Sequence, residues 1–154
     1  MGINPFFYPL DALQEWNRIY GRKGFVQYQC VLPREASVQG LQAILSSTAR
    51  AGMGSFLAVL KLFGDAGPGW LSFPREGYSL ALDFPVRSGL MRLLTELDAI
   101  VAMHGGRLYL AKDAVMKPAL LRRSYPQLDR FLALRQTTGA DKRFTSLLAK
   151  RLEI

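Results

Sequence analysis

Cysteine and histidine are nearly absent from this sequence: its 154 residues include one of each, Cys30 and His104. A single thiol excludes an internal disulfide, and one thiol with one imidazole cannot build a cysteine–histidine zinc site. Long apolar runs are absent as well, since no stretch approaches the ~20 residues that cross a bilayer as a helix. The opening MGINPFFYPLDALQEW places no basic stretch ahead of an apolar one, so it does not read as a secretory leader. With the lone cysteine, this sets the expectation of a cytoplasmic, reducing setting. There is no internal repeat, no low-complexity linker and no arrangement suggesting a Ser-His-Asp triad. The glycines of GMGS (52–55) and GDAGPG (64–69) mark loops, without the fingerprint of a phosphate-binding loop.

What is present is a globular composition, 49% hydrophobic and 21% charged, in a length that suits one core. The net charge of +8 is uneven. From Pro118 onward eight basic residues face three acidic ones. They are spaced among apolar positions, as on the solvated face of a helix. A basic tail can also meet an acidic partner or an anionic inner-membrane surface, at most peripherally. Nucleic acid is not an expected partner, because the aromatic and basic sheet signature of an RNA-recognition module is lacking.

Periodicity predicts the elements. Pro9 to Tyr20 reads as a short helix with Leu13, Trp16 and Tyr20 on one face. Phe25 to Leu32 alternates as a strand, and Glu35 to Ala51 carries Val38, Leu41, Ile44, Leu45 and Thr48 at helical spacing, with Gly40 as a blemish. Strands are predicted at Ser55–Phe63, Tyr78–Phe84 and Arg107–Ala111. Between the last two lies a helix from Ser88, a cap candidate, to His104, striped by Leu90, Leu93, Leu94, Leu97, Ile100 and Val101. His104 closes this helix and reads as structural. Short helices are expected near 119–123, 127–137 and 141–152. The order is β-α-β-β-α-β, so the fold class is α+β: a ferredoxin-like antiparallel sheet with both helices on one face, plus a C-terminal helical tail. The chain divides into a helical lead-in (1–24), the ferredoxin-like unit (25–112) and the basic tail (113–154).

Alternation sorts the two sheet faces. Val26, Tyr28, Cys30, Leu32, Tyr78, Leu80, Leu82 and Phe84 belong under the helices. The other face gathers Gln27, Gln29, Ser79, Asp83, Tyr109 and Lys61. The second strand is apolar on both sides apart from Ser55 and Lys61, which predicts cover on both sides. Short polar groups among aromatics on a covered face suit a ligand surface. The same pattern also fits an ordinary solvated sheet face.

Several segments together resemble one family: FYPLDALQEWNRIYGRKGFVQYQCVLP, SFLAVLKLFG, LSFPREGYSLALDFPV, and GGRLYLAKDA followed by YPQLDRF. In order and spacing they are similar to the C-terminal region of FAD-linked oxidases of the vanillyl-alcohol-oxidase type, in the branch that includes decaprenylphosphoryl-ribose, sugar-lactone and alditol oxidases. The resemblance implies that this chain forms the substrate side, covering a flavin held by an FAD-binding domain or subunit. No glycine-rich pyrophosphate segment and no flavin-linking histidine is found here, so the chain alone is expected to be inactive. By resemblance, Lys112 is catalytic and lies beside the flavin with Tyr109. Gln27, Gln29, Lys61, Phe63, Tyr109 and Asp83 line the pocket for a sugar-type substrate. Ala81 stands where a mycobacterial member of the family has cysteine, so thiol chemistry does not transfer. Strict alternation places Lys112 with Leu108 and Leu110, so reaching the flavin requires a turn at the strand end. The competing expectation is a non-enzymatic binding or oligomerisation module that uses the same face. A domain separated from its cover is expected to form a homo-oligomer.

Overall fold

The structure, a computed structural model, describes Gly2, Ile3, Phe7 and residues 14–154. Four strands, Phe25–Leu32 (β1), Ala58–Phe63 (β2), Gly77–Pro85 (β3) and Arg107–Leu108 (β4), form one sheet in the order β2-β3-β1-β4. The recorded pairings are all antiparallel. Helices Ser37–Arg50 (α1) and Leu90–Met103 (α2) supply the two crossovers, and together these elements make the ferredoxin-like arrangement. The tail folds as Pro118–Ser124 (α3), Leu128–Thr137 (α4), Ala140–Arg143 (α5) and Leu147–Leu152 (α6).

The core forms where the apolar face of the sheet meets the helix stripes. Tyr28, Cys30, Leu32, Leu80, Leu82 and Phe84 pack with Ile44 of α1 and with Leu90, Leu93, Leu94, Leu97 and Val101 of α2. Met116, Leu121, Tyr125, Leu128 and Leu152 of the tail join the same cluster. Each fully buried side chain of this size contributes roughly 1.5–3 kcal/mol. Gly40 is explained by close approach: a Cβ there would sit 2.6 Å from Leu32 Cδ1 and 3.2 Å from the His104 ring. The His104 ring nitrogen in turn lies 2.9 Å from the Ile100 carbonyl, a structural role at the end of α2.

The structure corrects several boundaries. Of the predicted lead-in helix, residues 9–13, with Leu13, lie outside the described residues. The remainder is a 3₁₀ turn, Trp16–Tyr20, bounded by Glu15 at φ 52° and Gly21 at φ 75°. β2 begins at Ala58, not Ser55: ahead of it the Asp83 N–H is shared between the Ser55 hydroxyl at 2.8 Å and the Leu57 carbonyl at 3.3 Å, and the Ser55 hydroxyl donates to the Leu57 carbonyl at 2.6 Å. Ser88 does not cap α2; Gly89 does so at φ 85°, without a side-chain bond. β4 is only two residues long and gives way to a 3₁₀ turn at Leu110–Lys112. The helix predicted over 141–152 is broken, and α6 restarts where the Ser146 hydroxyl accepts the Ala149 N–H at 3.0 Å. Last, β2 is not covered on both sides: Leu60 and Leu62 are 55% and 56% exposed. Cover was expected because β2 is apolar on both faces, but β2 is the sheet's edge strand.

Candidate functional site

Register fixes the neighbours on the sheet face away from α1 and α2. Gln27 pairs with Asp83, Gln29 with Ala81 and Val31 with Ser79. Across β3, Ala81 pairs with Val59, Ser79 with Lys61 and Gly77 with Phe63. The Tyr109 N–H donates to the Gln29 carbonyl at 2.9 Å, extending the row beyond β4. The fold thus aligns Tyr109, Gln29, Ala81 and Val59 in one row, with Gln27 and Lys61 in the rows on either side. Ala81, the shortest side chain in its row, sits at the middle.

Two segments close this face at its ends, and both escaped the sequence reading. At one end the turn after Glu15 brings Tyr20 onto the sheet. Its ring stacks on Phe25 at 4.3 Å and its hydroxyl donates to Asp83 Oδ2 at 3.2 Å. Burial, and then the Asp83 carboxylate, raise the Tyr20 phenol above its ordinary value. At the other end the loop of residues 64–76 folds back. Phe73 of this loop stacks on Tyr109 at 4.7 Å and meets Phe63 edge-on at 5.9 Å. The loop is anchored by Arg107, which donates to the Ser72 carbonyl at 2.7 Å, and by Trp70, over whose ring the Arg130 guanidinium lies at 5.1 Å. Phe73 gave no sequence signal, because a lone aromatic in a glycine- and proline-rich loop has no periodicity. Tyr20 had a weak one, its place on the predicted lead-in helix.

The residues singled out from sequence occupy three settings. Asp83 is 1% exposed, and its two oxygens accept from Tyr20 and from Gln27, the latter at 2.7 Å. It therefore positions those two groups from beneath the surface. Gln27 and Gln29 are half-buried; the Gln29 amide donates to Ser79 Oγ at 3.2 Å, which leaves its carbonyl oxygen for another donor. Lys61 is exposed on the same face, and Phe63 is half-buried against Phe73. Lys112 lies off the strand. The chain turns after β4, with the Lys112 N–H donating to the Tyr109 carbonyl at 2.9 Å, and the exposed Lys112 shares a narrow crevice with Tyr28, Gln29, Tyr109 and Asp113. The turn needed to move Lys112 off the strand is thus present, and Lys112, Tyr109 and Gln29 line one recess.

The face is a hydrogen-bonding surface set in aromatics: two amides, a phenol and one ammonium group, Lys61, backed by a buried carboxylate, with Lys112 in the turn beyond β4. Such a set suits polyhydroxylated or planar polar ligands. A metal does not fit, since among the described residues no cluster of three or more His, Cys, Asp or Glu exists.

No family model matches the chain. Among curated proteins, 152 residues are 42% identical to decaprenylphosphoryl-β-D-ribose oxidase of Mycolicibacterium smegmatis, covering 99% of this chain and 33% of that protein. A Streptomyces coelicolor protein described as uncharacterized, in the mprA 5' region, is 42% identical over 131 residues, 84% of this chain and 35% of its own length. The chain therefore spans about one third of the length of the curated relatives it matches. Over nearly every residue the chain is thus similar to the C-terminal region of an FAD-linked oxidase.

Proposed function

We propose that this chain forms the substrate-binding face of an FAD-dependent oxidoreductase, that an FAD-binding domain or subunit supplies most of the cofactor's contacts, and that the substrate is a sugar alcohol, lactol or lipid-linked sugar. The observation that carries the reading is the 42% identity, over nearly every residue of this chain, to an oxidase of a phosphoryl-linked sugar; beside it, Lys112, Tyr109 and Gln29 line one narrow crevice together with Tyr28, Leu94 and Leu108 of the core. Tyr109 and Lys112 would offer hydrogen-bond donors to a flavin, and the Phe63–Phe73–Tyr109 cluster would offer it apolar contact.

When bound, the flavin supplies the two-electron oxidation by taking a hydride from the carbon that bears the substrate hydroxyl. This chain's side chains do the rest. Lys112, as the ammonium, would hydrogen-bond the substrate hydroxyl and stabilise negative charge developing on its oxygen, the hydroxyl proton passing to solvent water as the hydride leaves the carbon. Gln29 and Tyr109 hydrogen-bond neighbouring hydroxyls and fix which carbon is presented. Gln27, held by Asp83, and Lys61 extend the same polar surface. Without the FAD-binding part, the chain binds no cofactor tightly and is inactive.

The test uses the chain assembled with an FAD-binding domain. Lys112→Ala is expected to slow anaerobic bleaching of the flavin by a sugar substrate by about 100-fold or more, the range of a single positioned acid–base or charge-stabilising group. Bleaching at the unaltered rate would remove Lys112 from the chemistry.

A further inference from the structure

The turn that carries Lys112 is held from within by a cluster of ionisable side chains. Asp113 follows Lys112 directly, and its side chain is 1% exposed. One of its oxygens accepts the N–H groups of Val115 and Met116 at 3.0 and 2.8 Å, and the other accepts from Arg151 at 2.8 Å. Arg151, on α6, also donates to the Met116 carbonyl at 2.6 Å. This clasp fixes the chain as it leaves Lys112. Tyr28 of β1 lines the Lys112 crevice together with Asp113. Asp98 of α2 shares a neighbouring groove with Val115 and Lys117. Asp98 Oδ1 and the Tyr28 hydroxyl are both enclosed by the chain, and neither has a formed hydrogen bond. Nothing outside the chain reaches these two atoms, so their surroundings are the same whatever else the chain meets.

Two carboxyls therefore bear on one guanidinium. Burial raises the Asp98 acid to about 7 and the Asp113 carboxylate adds to this, while Tyr28 and Arg151 pull the other way. The other ionisable neighbours are Cys30 of β1, whose thiol feels the Asp98 charge, and Lys117 ahead of α3. Toward α1 the charges are Arg50 and Glu96, which pair with each other at 3.6 Å. We propose that Asp98 is a proton switch for the Lys112 turn: protonated, it leaves Arg151 wholly to Asp113, and ionised, it draws Arg151 and loosens the clasp that sets where Lys112 stands. Such a coupling is reciprocal, so a change in the clasp must also move the titration of Asp98. Removing Arg151 takes away a cation that favours the Asp98 anion, and removing the Asp113 charge takes away an anion that opposes it. An effect on turnover rests on the role proposed for Lys112; the titration itself does not.

The test is a pH titration of the 154-residue chain by NMR, read at the Asp98 carboxyl carbon and at the backbone amides of Lys112, Val115 and Met116. These amides should shift with the midpoint of the Asp98 carboxyl, near 7, and should lose that component in Asp98→Asn. The Asp98 midpoint should rise in Arg151→Met and fall in Asp113→Asn. Tyr28→Phe removes only the hydroxyl and should also raise it, which keeps the test open should a clasp variant fail to fold. Amides that stay flat through the Asp98 titration overturn the proposal. So does an amide response that survives in Asp98→Asn, or an Asp98 midpoint that none of the folded variants moves. With the chain assembled with an FAD-binding domain, the ratio of Asp98→Asn to wild-type flavin bleaching should grow by about threefold or more between about pH 6 and about pH 8, because small displacements of a reacting group cost rate steeply. A constant ratio while the amides titrate counts against the role of Lys112 in turnover, and leaves the switch standing on its titration.

Discussion

Asp98 sits on the inward side of α2 among leucines, 8% exposed, with Oδ1 lacking a hydrogen bond. Beside it the Tyr28 hydroxyl is also buried without a formed bond. Burial is the main cause that pushes the Asp98 carboxyl from 3.8 up to about 7; Tyr28 and Arg151 pull it down, and Asp113 pushes it up. A folded-state value above the unfolded one means that the protonated acid suits the fold better. Its stabilising contribution is whole below about pH 4 and is lost as pH rises toward 7. Asp98→Asn keeps the shape and removes the titration. Urea unfolding at a series of pH values should therefore show this variant gaining on the wild type between pH 4 and 7, by up to about 2 kcal/mol once solvent screening is allowed for. A constant difference across that window would falsify the assignment. Cys30 behaves differently: burial pushes its thiol up to about 12, so at neutral pH it is an inert core group, as its place on an apolar strand face implies.

Among the elements, α6 depends most on a single polar anchor. Arg151 bonds Asp113 Oδ2 at 2.8 Å and the Met116 carbonyl at 2.6 Å. The Asp113 side chain is 1% exposed, and its other oxygen accepts the N–H groups of Val115 and Met116. One carboxylate thus shapes the turn that leaves the Lys112 recess and ties it to the last helix. Arg151→Met retains the stem but strands a buried carboxylate, which should cost about 2–4 kcal/mol in chemical denaturation. Adding Asp113→Asn to that variant should recover part of the loss. Equal stability of the single variant and wild type would show that the pair contributes nothing. The edge strand β2 follows opposite logic: among the described residues its one strand neighbour is β3, and Leu60 and Leu62 stay more than half exposed.

For the whole molecule, the tail is structurally inseparable from the sheet unit. Met116, Leu121, Tyr125 and Leu152, each 1% exposed or less, sit in one cluster with the strands, and the Tyr125 hydroxyl donates to the Leu108 carbonyl at 2.6 Å. Deleting residues 118–154 should expose that cluster and abolish cooperative thermal unfolding, as read by near-ultraviolet circular dichroism. A truncated chain with a sharp transition would instead show that residues 25–112 stand alone. No helix among the described residues is long and apolar enough to cross a membrane.

The sequence by itself determined the β-α-β-β-α-β order and the core stripes. Periods of two and 3.6 record which side of an element is buried, and residues such as Leu93, Leu97, Cys30 and Leu82 carry that record directly. It also placed Gln27, Gln29, Lys61 and Tyr109 on one face, since alternation alone decides it. It failed where a side chain or a neighbouring element overrides the local pattern. The Ser55 hydroxyl shares the Asp83 N–H with the Leu57 carbonyl ahead of β2, Gly89 displaced Ser88 as the cap, and β2 looked doubly covered because its leucines do not reveal that it is an edge. Only tertiary structure decided how the polar face closes. Tyr20 and Phe73 reach it across gaps of 63 residues to Asp83 and 36 to Tyr109, separations at which no local periodicity exists, and the turn at Leu110–Lys112 brings Lys112 beside Gln29. Those contacts arise from packing between distant segments, which composition and spacing do not encode.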